Sequence, residues 1–365
     1  MTGIGKIARQ LSSGFTLDDE QLLLQLEDFR IVLRSNSKEL LDKLAYYFAH
    51  VVADDNPQSF DIEIIAIEQS APELDLQFID WKREPGKTGR KDAYVDLKDG
   101  RVIKKVRTGM IFLQSKDCLL AAGPCLNNDN QVINYINAQY MNHLQHKDAL
   151  ICHASALALN ENCYAIAACS GGGKSTLMLN ILEEPGLAYV TNDRLLLRAD
   201  EAEITAYGIP KLPRVNPGTI INNERLRPIL SDERQKELES LPKQNLWDLE
   251  EKYDVLLHDL YGSGKITSKA KLKAFLILNW QRDSEDDCAI EKVELTDRRD
   301  LLTAIMKSPG PFYQYNDNRF YSDEIELDED AYFELLKNTV IYEATGNIDF
   351  YFAARYFVNN VVEQG

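Results

Sequence analysis

The sequence predicts an α/β fold with a mixed sheet, preceded by a smaller α+β region, and three stretches carry that expectation. Residues 163–193, CYAIAACSGGGKSTLMLNILEEPGLAYVTND, run from an apolar strand through a small-residue turn into a helix, then into a second apolar strand that ends on an acid. Residues 151–159 alternate as a strand does, and Asn160-Glu161-Asn162 turns them back into the strand at 163. Ahead of both, short apolar runs at 93–97, 102–106, 110–114 and 118–122 resemble a β-meander.

From the N-terminus, a polar start leads to a short predicted helix at about 18–26, and 29–34 reads as a strand. Asn36-Ser37 caps a helix whose apolar face is Leu40, Leu41, Leu44, Tyr47 and Phe48. Residues 60–67 alternate apolar and acidic side chains, the pattern of a half-buried strand. A basic loop rich in Pro and Gly spans 81–92. Its Gly86-Lys87-Thr88 imitates a phosphate-binding tripeptide, but Trp81 stands where the first glycine belongs and an extended stretch follows instead of a helix. A helix at about 130–146 closes this half. The boundary falls near 148, giving domains at 1–148 and 149–365, the first expected to recognise a substrate.

The residue types in 163–193 suit a phosphate cradle. Glycines at 171–173 let consecutive backbone N–H groups turn inward, and the helix N-terminus adds partial positive charge. Ser170, Gly171, Gly172, Gly173, Lys174, Ser175 and Thr176 would hold the phosphates, with Lys174 reaching the β- and γ-phosphates. The Ser175 hydroxyl would sit on Mg²⁺, with Asp193 at the end of the next strand as the second metal ligand. ATP and Mg²⁺ are therefore the expected cofactors. Ala168 replaces the first glycine of G-x-x-x-x-G-K-[ST], which a negative φ tolerates.

A net charge of −17 opposes non-specific binding to nucleic acid or anionic membrane. No apolar run nears the roughly 20 residues that span a bilayer, and the first 14 residues lack a signal-peptide core. The six cysteines include no C-x-x-C pair and read as reduced residues of a cytoplasmic protein. Cys169 lies within the glycine loop.

After Asp193, residues 194–199 and 204–207 read as a hairpin, and 208–218 as a turn-rich basic segment carrying Lys211 and Arg214, which could clamp a transferred phosphate. Residues 231–257 look helical, and 274–280 form an apolar strand. Gly262-Ser263-Gly264-Lys265 reads as a turn or a basic lid. Thr296 can cap a helix at about 298–306, and the aromatic-rich 350–362 is expected to pack as a core helix. His143 and His146, three apart on a helix, could grip a metal with His153, but no acid or cysteine spacing supports that.

His153, the following hairpin, ACSGGGKST and VTNDR together resemble the catalytic core of HPr kinase/phosphorylase, a P-loop fold related to phosphoenolpyruvate carboxykinase. The nearest likeness is to the HprK-related kinases, to which GIPKLPRVNPGT is also similar. The resemblance covers about 150–225. It implies nucleotide phosphates on 171–176, Mg²⁺ on Ser175 and Asp193, and His153 in the active site. The family usually has two adjacent acids where this chain has Asn192-Asp193, so base catalysis falls to Asp193 or to another group such as His153. The leading expectation is a kinase acting on a protein serine or a small alcohol, with Asp193, Lys174, His153 and Arg214 as catalytic residues. The alternatives are a nucleotide-binding regulator with little turnover and a carboxykinase-like enzyme on a small acid. The acceptor and any homo-oligomer are left open.

Overall fold

The computed structural model describes residues 3–53, 59–83, 89–169, 172–201, 203–249 and 251–362. The chain divides into two compact units, Met1–Asp148 with Ser308–Glu326, and Ala149–Lys307 with Leu327–Gly365. Ser308–Glu326, which the sequence reading leaves in the second domain, packs with the first unit. Phe312 lies against Phe112 and Tyr135, with ring centroids 5.5 and 5.1 Å away.

The first unit is a sheet of eight strands among the described residues, in the order Gln21–Leu26, Phe29–Ser35, Ile62–Glu68, Leu119–Gly123, Ile111–Gln114, Gly100–Lys105, Asp92–Leu97 and Ile79–Asp80. Ile62–Glu68 pairs in parallel on both sides and the other pairings are antiparallel. Alternation sends Ile67, Ile111 and Leu113 toward the helix Ile4–Ser12, whose Ile4, Ile7 and Leu11 join them in one core. Phe112 points the opposite way, against Tyr135 of the helix Asp129–Gln145. The Lys38–Tyr47 helix starts as its cap predicts, the Ser37 hydroxyl accepting from the Leu40 N–H.

Residues 18–26 are not a helix: Gln21–Leu26 is a strand paired residue for residue with Phe29–Ser35, turned by Glu27 at φ 55°. Leu22, Leu23 and Leu24 are all buried, which a strand achieves by burying both its faces.

The second unit is a mixed α/β sheet of nine strands among the described residues. Leu187–Thr191, Ala154–Leu159, Asn162–Ala168 and Lys269–Leu278 lie side by side. The sheet then forks along the long strand. Residues 269–271 pair with Glu203–Gly208, and 274–278 pair with Val340–Thr345. The expected hairpin at 194–207 is present as Leu195–Asp200 with Glu203–Gly208.

Strand direction places the site. Asn162–Ala168, Lys269–Leu278 and Val340–Thr345 run parallel. Leu187–Thr191 points the same way, because it is antiparallel to Ala154–Leu159, itself antiparallel to Asn162–Ala168. Four C-terminal strand ends therefore reach one edge, where ligands of such sheets are usually bound, and Ala154–Leu159 starts there. Cys169, Trp280 and Asn192-Asp193 leave at that edge, and His153 enters.

Below the edge, the alanines at 154, 156, 158, 165 and 167 let the helices Leu302–Ile305 and Glu329–Leu336 pack close on one face. On the other face Tyr164 meets Phe357. The helix expected at 298–306 is shorter than the sequence suggests, a 3₁₀ turn at Arg299–Leu301 followed by Leu302–Ile305. The charged 231–257 stretch breaks at Pro242 into Asp232–Glu239 and Lys243–Asp248. The aromatic C-terminal helix, Phe350–Phe357, buries Ala353 and Phe357 but leaves Tyr351 72% exposed, so it is only partly core.

Candidate functional site

Ser170 and Gly171 lie outside the described residues, as do residues 86–88, so the glycine loop is described from Gly172. Gly173 adopts φ 89° at the start of the helix Lys174–Ile181, a left-handed turn that glycine makes without strain. The Phe350 ring fills the space beside it, 2.6 Å from where a Cβ would stand. Trp280, at the end of the adjacent parallel strand, donates from its indole to the Gly172 carbonyl at 3.0 Å and meets Phe350 edge to face at 5.2 Å. Two rings thus hold the loop.

Lys174 is buried. Its Nζ donates to the Ala168 carbonyl at 3.1 Å and lies 3.1 Å from Nε2 of His153. Burial lowers the ammonium to a pKa of about 8, with the Asp193 carboxylate opposing that shift. His153 is anchored by its backbone N–H, which donates to the Ile305 carbonyl at 2.7 Å. Its Nε2 also lies 3.4 Å from Asp193 Oδ1. Burial lowers the imidazole pKa, the Asp193 hydrogen bond opposes this, and nearby Lys174 adds to it, so the net shift favours the neutral ring.

Asp193 sits at φ 77°, a left-handed conformation outside the common range for aspartate, which turns its carboxylate between His153 and Arg194. Arg194 Nη1 is 2.7 Å from Oδ2. Burial alone would raise this carboxyl. The charge of Arg194 and the His153 bond outweigh it and hold the group well below the usual carboxylate range.

Ser175 faces Asn192. Its hydroxyl donates to Oδ1 of Asn192 at 2.9 Å, and the buried Ser155 hydroxyl donates to the same oxygen at 2.7 Å. Asn192 rather than Asp193 is the residue facing the loop serine. Thr176 shares a hydroxyl–hydroxyl bond of 2.8 Å with Thr219. Arg214 lies in a two-strand pairing, Arg214–Val215 with Tyr253–Asp254, its Nε 2.9 Å from Asp254 Oδ1.

These groups share one cleft of about 400 Å³, which takes in His153, Lys174, Ser175, Asn192, Asp193 and Arg214, with Lys211 and Lys252 on its walls. A larger cleft, about 1040 Å³, shares Gly172, Gly173 and Thr176 and extends to Trp247, Arg282, Tyr351 and Arg355. Lys265 is not a lid over either. Its Nζ donates to the Leu187 carbonyl at 2.9 Å, at the far end of the strand that delivers Asp193. His143 stacks on Phe29 at 4.2 Å and His146 bonds the Gln314 carbonyl, so both have structural partners.

Hard divalent cations take oxygen ligands. The Ser175 hydroxyl, the Asn192 amide oxygen and the ionised Asp193 carboxylate supply three on one cleft. Among the described residues no three His, Cys, Asp or Glu come together around one point. The donor set fits a cation shared with a bound polyphosphate, not one caged by protein alone.

Sequence reasoning missed Ser155, Arg194, Trp280 and Phe350. Trp280 was findable, since it directly follows an apolar strand and such strand ends line sites. Nothing in an alternating strand singles out Ser155.

No protein-family model matches this chain, and no curated protein does. Among solved structures, the HPr(Ser) kinase/phosphatase from Coxiella burnetii is similar with a TM-score of 0.29 and 8% identity, over 59% of this chain and 92% of that one. That likeness is too slight to carry an argument about fold or function. No helix among the described residues is long and apolar enough to cross a membrane.

Proposed function

We propose that this chain is an ATP- and Mg²⁺-dependent phosphotransferase that moves the γ-phosphate onto a hydroxyl group, of a protein serine or a small alcohol, on a P-loop fold of the HPr kinase type. The observation that carries this reading is the seating of Lys174. A buried ammonium at a helix N-terminus, beside a glycine in the left-handed conformation and within 3.1 Å of His153, is built to receive a polyphosphate.

Each residue has a role. Backbone N–H groups of the glycine loop and the ammonium of Lys174 bind the phosphates and offset the charge that builds up on them. Asp193, ionised at neutral pH, accepts the proton of the attacking hydroxyl, and His153 fixes the direction of that carboxylate. Arg214 and Lys211, on the wall of the same cleft, clamp the acceptor or the phosphate in transit. Mg²⁺ would be held by Ser175 and Asp193, with Asn192 beside them, and would supply charge neutralisation on the β- and γ-phosphates.

Asn192 favours a second reading, a nucleotide-binding regulator with little turnover. A neutral amide faces Ser175, where a carboxylate would hold a cation more firmly.

The test is transfer of labelled γ-phosphate from Mg·ATP into the protein and small-molecule fractions of an extract. Lys174→Ala and Asp193→Ala should each lower transfer by at least ~100-fold, the scale of losing one transition-state charge contact. Transfer that survives both substitutions sinks the proposal. Binding without transfer, restored to turnover by Asn192→Asp, would establish the regulator.

A further inference from the structure

We infer that the larger cleft is a nucleoside pocket, in which a purine base stacks on Trp247 and Tyr351. The inference rests on the phosphotransferase reading and fixes which way the nucleotide lies. Lys174 Nζ is turned toward His153, inside the smaller cleft, so the terminal phosphate of a bound chain belongs there. The rest of the molecule has to leave across Gly172, Gly173 and Thr176. These residues, with Asn216 and Thr219, are the shared wall with the larger cleft.

That cleft is furnished for a flat, polar-edged ring. Arg282 lies over the Trp247 ring, its guanidinium carbon 5.0 Å from the centroid. On a separate helix, Arg355 lies 5.6 Å from the ring of Tyr351, and its Nη1 is 3.4 Å from the Tyr351 hydroxyl. Tyr351 is 72% exposed, so its ring is open to a ligand in the cleft. Aromatic rings and arginine planes stack on any base because every base has a π-face. Asn222 and Glu184, also on the wall, offer hydrogen-bond partners to ribose hydroxyls. The volume of about 1040 Å³ suits a nucleoside and is far more than inorganic phosphate needs.

The experiment compares Mg·ATP with Mg·tripolyphosphate by calorimetry on the full chain. Wild type should bind ATP more tightly. Trp247→Ala and Tyr351→Ala should each weaken ATP by roughly ten- to a hundred-fold, the loss of one stacked base, and leave tripolyphosphate unchanged. Tyr351→Phe, which keeps the ring, should retain ATP affinity. Because Tyr351 is exposed, its variants test the pocket even if Trp247→Ala fails to fold. Equal weakening of both ligands, or no change in ATP affinity, overturns the pocket. Wild type binding tripolyphosphate as tightly as ATP overturns the pocket alone. Wild type binding neither overturns the phosphotransferase reading as well.

Discussion

With its pKa lowered to about 8 by burial, the Lys174 ammonium is half deprotonated only a little above neutral pH. A polyphosphate brought next to it favours the charged form and raises that pKa. The sign follows directly. Below pH 8 the lysine is already protonated and binding involves no proton from it. Above pH 8 binding takes up a proton, and affinity falls as pH rises. Tripolyphosphate affinity should therefore drop by about tenfold per pH unit above pH 8, until the pKa of the bound state is reached. Calorimetry in buffers of different ionisation enthalpy measures the proton directly. Lys174→Arg, which stays charged, should flatten the slope. A pH-independent affinity up to pH 10 would show that the lysine lies outside the anion site.

At the scale of elements, the Glu203–Gly208 and Leu187–Thr191 strands come so close that a Cβ at Gly208 would stand 2.0 Å from the Val190 carbonyl oxygen. That approach sets where the chain leaves for Lys211 and Arg214, and the Thr191 hydroxyl ties the crossing by accepting from the Ile209 N–H at 3.4 Å. Backbone cannot yield as a side chain end can. Gly208→Ala is expected to cost about 3 kcal/mol in chemical unfolding and to weaken tripolyphosphate binding in parallel. A variant of unchanged stability would refute the close approach. The same elements explain what was readable beforehand. The Ser37 cap and the 154–168 hairpin carry local signals and lie where the sequence places them, but the strand expected at 151–159 breaks at His153, and Leu150–Cys152 pairs instead with residues 195–197. Gln21–Leu26 was misread because three successive leucines satisfy both a helical face and a doubly buried strand, and only pairing with Phe29–Ser35 decides. The partnership of Ser175 with Asn192 was unreadable for a different reason: the choice between Asn192 and Asp193 depends on the φ of 77° at Asp193, and no propensity predicts it.

Across the whole molecule, the chain passes from one unit to the other after Asp148, returns at Ser308 and leaves again after Glu326. The returning segment is fastened within the first unit by Arg101, which is 1% exposed. Its guanidinium pairs with Asp96 at 2.5 and 2.9 Å and donates to the carbonyls of Pro311 and Tyr321. The rings of Tyr94, Phe320 and Trp81 lie 4.4, 4.7 and 5.6 Å from its central carbon. Arg101→Met keeps the volume but leaves the Pro311 and Tyr321 carbonyls without their donor, and should lower stability by about 3 kcal/mol. An unchanged urea midpoint would mean that the segment is held by its aromatic contacts alone.

That interrupted connectivity also orders events at the ribosome. A nascent chain released only to Asp148 has made every strand of the first sheet, yet Phe112 and Tyr135 still await Phe312. Synthesis must run through the glycine loop and most of the second sheet before that partner emerges, so the N-terminal unit, first to be translated, is completed only shortly before the second unit, whose Val340–Thr345 strand is still to come.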